Sequence, residues 1–327
     1  MIPAEAVERF RADLETLTGG PPGKIGVAVS GGPDSLALLL LAHAAYPGGV
    51  EAATVDHGLR PESAAEAAWV GQVCADLGLT HATLTLDWPD EPEANLQSEA
   101  RFGRYLALAN WALDRDLPFL ATGHHLDDQA ETLLLRLARG SGVAGLAGTR
   151  ASRALMPATD GEASVHVVRP LLRWRRAELG GIVSDAGLTA VDDPSNRDER
   201  FDRTNAREFL NSYPGLLPER LADTAVFLAE AEEALDWAAR QLFSQRAVYG
   251  EGASTILDGR GLPRELQRRL LIEAFGDFKP GKPLPGPKLG RLLDSLREGS
   301  AGTLAGVRAR TLPDATWHLD WAPPRKS

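Results

Sequence analysis

Hydrophobic positions in the first half of the chain fall into short apolar runs, separated by longer stretches in which apolar residues have helical spacing. The runs cover residues 24–29, 50–56, 81–86 and 118–122. This alternation is typical of βαβ units. It predicts a parallel sheet with helices on both faces and ligand-binding loops at the carboxyl ends of the strands. A further run at residues 165–168 is a candidate for another strand of the sheet.

Apolar residues after Pro218 instead recur every three or four positions, which predicts one long helix. Further helices are predicted at residues 263–275 and 287–296, on either side of a link rich in proline and glycine. The chain has 327 residues, of which 43% are hydrophobic, and this is enough for two cores. We therefore expect an α/β domain over residues 1–213 and a smaller all-α domain over residues 214–327.

The turn between the first run and the following apolar helix is the first candidate site. It consists of Ser30, Gly31, Gly32, Pro33, Asp34 and Ser35. Two glycines allow a sharp turn, and the N–H groups that begin the helix point at one place, where the phosphates of a nucleotide can bind. We call this turn the phosphate cradle. An ordinary turn in which Asp34 or Ser35 caps the helix is the alternative.

The phosphate cradle lacks the lysine of a Walker A motif and has Asp34 instead. This carboxylate would repel a polyphosphate unless a divalent cation lay between them, so the sequence predicts ATP with Mg²⁺ bound to Asp34. The neighbouring residues His124, His125, Asp127 and Asp128 do not predict a zinc site, because no cysteine or third histidine is placed to complete one.

The formal net charge of −10 is unevenly distributed. Residues 136–176 carry eight arginines against two acidic residues, and residues 260–310 carry eleven lysines and arginines against five acidic residues. Either stretch could follow an RNA backbone, and solvated helix faces are the alternative. Cys74 is the only cysteine, which excludes an internal disulfide and favours a reducing, cytoplasmic location. The longest apolar stretch, residues 36–45, is too short to span a membrane.

The most specific motif covers residues 123–146 and reads GHHLDDQAETLLLRLARGSGVAGL. Together with the phosphate cradle, it resembles the tRNA(Ile)-lysidine synthases, which are PP-loop ATP pyrophosphatases with an adenine nucleotide alpha hydrolase-like fold. The resemblance extends over most of the chain and fits the short form of the family, with a single domain after the catalytic one. Further matching motifs are Val55-Asp56-His57-Gly58-Leu59-Arg60, Ala100-Arg101, Arg104-Tyr105, Arg169-Pro170-Leu171 and Asp193-Pro194-Ser195-Asn196. One departure is Arg203-Thr204-Asn205, where the family usually has Arg-Asn, with Arg207 still in register.

The resemblance implies a ligation in two steps. ATP adenylates oxygen 2 of the wobble cytidine in the anticodon loop of tRNA(Ile) and releases pyrophosphate, and the ε-amine of free L-lysine then displaces AMP. Asp128 and Glu131 would hold the amino groups of lysine, although an acidic residue followed three positions later by Glu is also the pattern of a capping box. Arg104 would pair with the carboxylate of lysine or with a phosphate.

The resemblance also implies a nucleotide pocket at the loops that follow the strands. Its candidate residues are Val55, His57, Arg101, Gly123 and His124. Core packing is the alternative for His57, local hydrogen bonding for His124, and a solvated helix face for Arg101.

Two other functions stay open. A cytidine thiolase of the same PP-loop class shares the GHHxDDxxET pattern but looks to need paired cysteines, whereas Cys74 has no partner. A non-catalytic ATP- or tRNA-binding module would not need carboxylates beside the phosphate cradle. We expect the second domain to dock the tRNA through a basic surface that includes Arg264, Arg268 and Arg269. The sequence leaves the oligomeric state open, with a homodimer among the expected states.

Overall fold

A computed structural model describes residues 2–58, 62–86, 96–155, 165–191, 202–213, 215–279 and 284–323. The chain divides into two compact units, Met1–Ala229 and Glu230–Ser327. The division lies within a long helix and further along the chain than the boundary predicted at residue 213.

A six-stranded sheet forms the centre of the first unit. Its strands are β1 (Ile25–Ala28), β2 (Val50–Asp56), β3 (Thr80–Thr85), β4 (Phe119–Ala121), β5 (Ser152–Leu155) and β6 (Val165–Val168). The strand order is β3-β2-β1-β4-β6-β5, and all neighbours are parallel except β5, which runs antiparallel to β6 at one edge. The predicted parallel sheet is therefore confirmed, including the strand at residues 165–168. The edge strand β5 was not predicted.

Helices cover both faces of this sheet. The helices are α1 (Ala4–Thr18), α2 (Pro33–Ala45), α3 (Ser63–Asp76), α4 (Leu96–Asp114), α5 (Leu126–Ala138), α6 (Val143–Leu146), α7 (Arg176–Asp185), α8 (Asp202–Ser212) and α9 (Pro218–Arg246), whose last residues belong to the second unit. Of these, α1, α2, α3 and α7 share a core with one face of the sheet, and α4 shares a core with the other. Successive strand residues point to opposite faces, so Val168 packs in the core with α1, α2 and α7, whereas Val167 packs in the core with α4. The helix α2 packs against α1 and α7 as well as the sheet, which explains why almost every residue of it is apolar.

The second unit is not all-α, and this prediction is wrong. A five-stranded antiparallel sheet lies beside the predicted helices α10 (Arg264–Phe278) and α11 (Gly286–Arg297). Its strands are β7 (Ala247–Gly250), β8 (Ser254–Leu257), β9 (Ala301–Leu304), β10 (Val307–Thr311) and β11 (Trp317–Trp321), in the order β7-β8-β11-β10-β9.

The strands of the second unit have only four or five residues each. Runs this short do not stand out beside the strong helical periodicity, which is why only helices were predicted here. Val307 and Ala309 of β10 and Trp317 and Leu319 of β11 are buried, and the residues between them are more exposed. Such alternation over five residues is the signal of a half-buried strand. Among the described helices of both units, none is long and apolar enough to cross a membrane.

Candidate active site

The phosphate cradle connects β1 to α2. Gly31 has a φ of +82°, and a Cβ atom there would lie 3.0 Å from Cγ2 of Val191, so both conformation and space require glycine. Ser35 closes the turn, because its Oγ accepts a hydrogen bond from the N–H of Ser30 at 3.1 Å and donates to the carbonyl of Gly32 at 2.9 Å. No side chain caps α2 at its N-cap residue Gly32. Pro33 has no N–H and the N–H of Leu36 donates to the carbonyl of Gly32 at 3.0 Å, so the N–H groups of Asp34 and Ser35 are the ones available to an anion.

Gly123 brings the end of β4 against the start of α2. A Cβ atom at Gly123 would lie 3.0 Å from the carbonyl carbon and oxygen of Asp34 and 3.1 Å from the nitrogen of Ser35. Because these neighbours are backbone atoms that cannot move aside, only glycine fits. Gly123 thus places the residues that follow it, His124 and His125, beside the phosphate cradle.

His125, the N-cap residue of α5, lies among three carboxylates, those of Asp34 in α2 and of Asp127 and Asp128 in α5. It is 1% exposed, and its Nε2 lies 3.4 Å from Oδ2 of Asp34 and 3.6 Å from Oδ2 of Asp128. Its Nδ1 lies 3.7 Å from Oδ2 of Asp127. Burial alone lowers the pKa of His125, but the hydrogen bond to Asp34 and the charges of Asp128, Asp34 and Asp127 outweigh it, so the pKa is raised above its ordinary value.

His125 thus contacts the carboxylate of Asp34 in the phosphate cradle, and His124 stays a predicted nucleotide contact. Nδ1 of His124 lies 3.0 Å from the hydroxyl of Thr122 at the end of β4. This agrees with the alternative of local hydrogen bonding for His124. The sequence offered a signal for His125 in the adjacent pair of histidines, but it gave no means of choosing between them.

Asp34 has one carboxylate oxygen that lacks a partner. Its Oδ2 faces His125, and its Oδ1 is buried without a hydrogen-bond partner. Among the described residues no group of three or more His, Cys, Asp or Glu side chains could hold a metal ion. Mg²⁺ bound to nucleotides usually takes only one or two protein carboxylates, with phosphates and waters as its other ligands. The donor set at Asp34 therefore fits Mg²⁺ bound together with a nucleotide.

Asp127 and Asp128 both organise the backbone. The N–H of His125 donates to Oδ2 of Asp128 at 3.1 Å, and the N–H of Asp128 donates to Nδ1 of His125 at 3.4 Å. The capping box at this helix therefore joins His125 to Asp128 and does not include Glu131. Asp127 accepts a hydrogen bond from the N–H of Arg176 at 2.8 Å, which ties α5 to the start of α7.

Glu131 is a buried carboxylate whose cationic partner among the described residues is Arg207. It is 1% exposed, and Nε of Arg207 in α8 donates to its Oε1 at 2.8 Å. Its second oxygen, Oε2, is buried without a hydrogen-bond partner. Sequence analysis noted Arg207 only for its register, because no local pattern connects two residues on separate helices.

The remaining predicted residues lie around the carboxyl edge of the sheet. Guanidinium carbons of Arg101 and Arg104, which are both exposed on α4, lie 5.4 Å and 5.9 Å from the ring centre of Tyr105. Val55 and His57 are half-buried at the end of β2, next to β1. The motif residues Leu59, Arg60 and 193–196 lie outside the described residues.

Arg169 is a buried cation that the sequence indicated only as part of a motif. It follows β6 and is 5% exposed, with its Nη1 donating to the carbonyl of Arg150 at 2.6 Å and its Nε lacking a partner. Burial lowers the pKa of Arg169, and the charges of Arg101 and Arg153 lower it further, against an opposing contribution from Tyr105. A buried, incompletely paired guanidinium at this edge of the sheet suits an anionic substrate group.

Comparison with known proteins gives the family. A family model described as a PP-loop domain matches residues 6–213. The chain is 46% identical to a tRNA(Ile)-lysidine synthase of Novosphingobium aromaticivorans, over 98% of this chain and 95% of that protein. It is 41% identical to the tRNA(Ile)-lysidine synthase of Zymomonas mobilis, over 97% and 94% of the two chains.

A solved structure supports the fold alone. The U34-tRNA thiolase NcsA of Methanococcus maripaludis, determined with its [4Fe-4S] cluster, superposes with a TM-score of 0.54 and 19% identity, over 71% of this chain and 78% of that one. The family follows from the sequence relatives and from the PP-loop match over most of the first unit. This chain therefore belongs to the tRNA(Ile)-lysidine synthase family of PP-loop proteins.

Proposed function

We propose that this chain catalyses the ATP-dependent ligation of free L-lysine to carbon 2 of the wobble cytidine of tRNA(Ile). The observation that carries the proposal is that one site combines groups for an anion and for cations. The N-terminus of α2 in the phosphate cradle has no side-chain cap, and the carboxylates of Asp34 and Glu131 each have one buried oxygen without a hydrogen-bond partner. The uncapped N–H groups suit the phosphates of ATP. The carboxylates suit a cation at Asp34 and an amine at Glu131.

In the first step, oxygen 2 of the cytidine attacks the α-phosphorus of ATP, and pyrophosphate leaves. The first turn of α2 binds phosphate oxygens, and Asp34 would hold Mg²⁺, which supplies a positive charge that stabilises the charge on the transferring phosphoryl group. His125 orients the carboxylate of Asp34. Val55, His57, Arg101 and His124 stay our predicted contacts to the nucleotide.

In the second step, the ε-amine of lysine attacks carbon 2, the bond from carbon 2 to the oxygen of AMP breaks, and the proton released by the amine passes to solvent water. Glu131 is the proposed partner of a lysine amino group, because Arg207 occupies only one of its two oxygens. Asp128 adds a second carboxylate one helical turn away, although one of its oxygens also caps α5. Arg104 stays the proposed partner of the lysine carboxylate or of a phosphate.

We also propose that the second unit docks the tRNA, through a groove between α11 and the edge strand β9. The groove has a volume of about 280 Å³, and Lys288, Arg291, Ser295 and Thr303 contribute to its lining. Within the described residues, neither Lys288 nor Arg291 makes an ion pair, so both charges are available to RNA phosphates. This groove replaces the surface of Arg264, Arg268 and Arg269 that the sequence suggested.

Cys74 argues against a cytidine thiolase. It is the only cysteine of the chain, lies buried in α3, and burial raises its pKa to about 11. A single protonated thiol supplies neither a cluster ligand set nor a sulfur-relay nucleophile.

Cytoplasmic location and a homodimer stay part of the proposal. Sedimentation of the purified protein tests whether it is a homodimer.

The central experiment incubates the protein with ATP, Mg²⁺, lysine and a tRNA(Ile) transcript, followed by mass spectrometry of the anticodon nucleosides. Formation of lysidine supports the proposal. Pyrophosphate release without any lysine adduct would contradict the ligation.

The role of Glu131 has its own test in Glu131→Gln, which keeps the size of the side chain and removes its charge. Loss of a desolvated charge partner costs about 2 kcal/mol or more, so we expect the KM for lysine to rise by at least about 30-fold, with pyrophosphate release retained. The matched control is Glu51→Gln. Glu51 is also buried and paired with an arginine, Arg115 at 2.8 Å, but it lies at the amino end of β2. Equal lysine dependence in the two variants would contradict the assignment.

A further inference from the structure

Two aromatic rings are exposed side by side at the end of α8. Phe209 and Tyr213 have ring centres 6.4 Å apart and ring planes inclined by only 3°. Phe209 is 51% exposed and Tyr213 is 57% exposed. A spacing of four residues puts both rings on one side of the helix, where they present near-parallel flat faces to solvent. Large aromatic side chains that stay exposed as a cluster mark a binding surface.

Local backbone contacts hold Tyr213 in place. Its N–H donates to the carbonyl of Phe209 at 3.1 Å, and its own carbonyl accepts a hydrogen bond from the N–H of Leu216 at 3.0 Å. The chain then turns so closely past the ring that a Cβ atom at Gly215 would lie 3.1 Å from Cε1 of Tyr213. The backbone of Tyr213 is therefore held by hydrogen bonds on both sides, and its ring lies against Gly215.

The same helix reaches the candidate active site. Arg207 lies two residues before Phe209, and its guanidinium binds the carboxylate of Glu131 at 2.8 Å. The partner helix α5 begins at the capping box of His125 and ends where the arginine-rich stretch of residues 136–176 begins. The two rings therefore lie on the helix that contacts Glu131, although residues two positions apart point to different sides of a helix.

We propose that Phe209 and Tyr213 form a stacking platform for an unpaired base of the RNA substrate. This inference rests on the proposed function, which requires an anticodon loop at this site. Bases of single-stranded loops are unstacked and bind to exposed aromatic rings, and basic side chains nearby bind their phosphates. An interface with a second copy of this chain is the other occupant that two exposed rings could serve, and the experiment below distinguishes it from RNA.

The experiment uses anticodon stem-loops of tRNA(Ile) with 2-aminopurine at one loop position at a time, since stacking on an aromatic ring quenches its fluorescence. We expect at least one position to be quenched by the wild-type protein, and the quenching to be lost in Phe209→Ala with Tyr213→Ala. Stem-loop affinity should fall by about 5- to 100-fold for each lost base contact. Phe209→Trp should restore the quenching, because it keeps a flat ring. Phe227→Ala, which removes a 67% exposed ring of α9 in the same unit, is the matched control and should change neither signal.

Further measurements separate this inference from the proposed function. The KM values for ATP and lysine should stay at their wild-type values in Phe209→Ala with Tyr213→Ala. If wild-type protein makes lysidine but the quenching and affinity of the double variant equal those of wild type, the platform is wrong and the ligation stands. If sedimentation shows that the double variant turns a dimer into a monomer without changing stem-loop binding, the rings are an interface between copies of this chain, and the platform is again wrong.

Discussion

The phosphate cradle and the helix α10 both concentrate groups that attract anions, but they use them in opposite ways. In the cradle, no side chain caps α2, and Asp34 keeps one buried oxygen without a partner. In α10, Arg264 pairs with Asp294, and Arg268 with Glu265. Arg269 is 5% exposed and pairs with Glu232, Asp236 and Glu265. The cradle can still accept a ligand, whereas α10 has its positive charges neutralised within the second unit.

The difference shows that the number of charges in a region does not determine whether it binds a ligand. A guanidinium that already holds two or three carboxylates would have to give them up before it could bind a phosphate, and a buried carboxylate left alone is costly. Backbone N–H groups at an uncapped helix end have no competing partner, so they bind an anion without breaking any contact.

The largest expected effect tests the cradle. Replacing Asp34 by Ala removes the proposed ligand of Mg²⁺, and we expect pyrophosphate release to fall by more than about 100-fold, because the metal contributes several kcal/mol to stabilising phosphoryl charge. Release of pyrophosphate is measured at saturating Mg²⁺, and circular dichroism checks the fold. Asp114→Ala removes an exposed carboxylate at the end of α4 and is the control. Near-normal release by Asp34→Ala would show that the cradle binds nucleotide without a metal at this residue.

The next effect tests whether α10 holds the second unit together. Arg269→Leu leaves Glu232, itself 5% exposed, without its cation, which should destabilise the unit by about 3 kcal/mol. Arg264→Leu breaks only the exposed pair with Asp294 and should cost less than about 1 kcal/mol. Hydrogen exchange of the amides in α10 and in β8 to β11 measures the stability of this unit separately from the first. Equal protection in the two variants would mean that the network around Arg269 is not structural.

The cradle could be predicted from sequence because its geometry depends on adjacent residues. Gly31 and Gly32 fix the turn, Pro33 begins the helix, and Gly123 belongs to a motif that was recognised as a whole. The partners of the ion pairs could not be predicted, because Glu131 and Arg207 lie 76 residues apart and Arg269 and Glu232 lie 37 apart. No local pattern encodes such pairs.

The sheet of the second unit could not be predicted either, because its strands are short. Its strands have four or five residues each, two between α9 and α10 and three after α11, and the strong periodicity of the helices alone led to an all-α domain. In the first unit, the runs that became β1 to β4 alternate with helices in a way that only a parallel sheet explains, so the architecture was predicted although the edge strand β5 was not.

The smallest expected effect concerns the groove between α11 and β9, whose two cations have no acidic partner within the described residues. Lys288→Ala with Arg291→Ala should leave the stability of the second unit unchanged, because both side chains are exposed. If each binds one phosphate of the tRNA, the slope of log affinity against log salt concentration should become shallower by about 2.

The matched control for the groove is Arg264→Ala with Arg268→Ala. It removes the same two charges from the same unit, but from arginines that Asp294 and Glu265 already neutralise. We expect its salt slope to stay at the wild-type value, because no counterion is released from a phosphate contact that does not exist. Affinity for tRNA is measured across a salt series for the wild type and both variants. If the two double variants have the same slope, long-range charge and not the groove governs docking, and the distinction between paired and unpaired arginines would have no consequence for RNA binding.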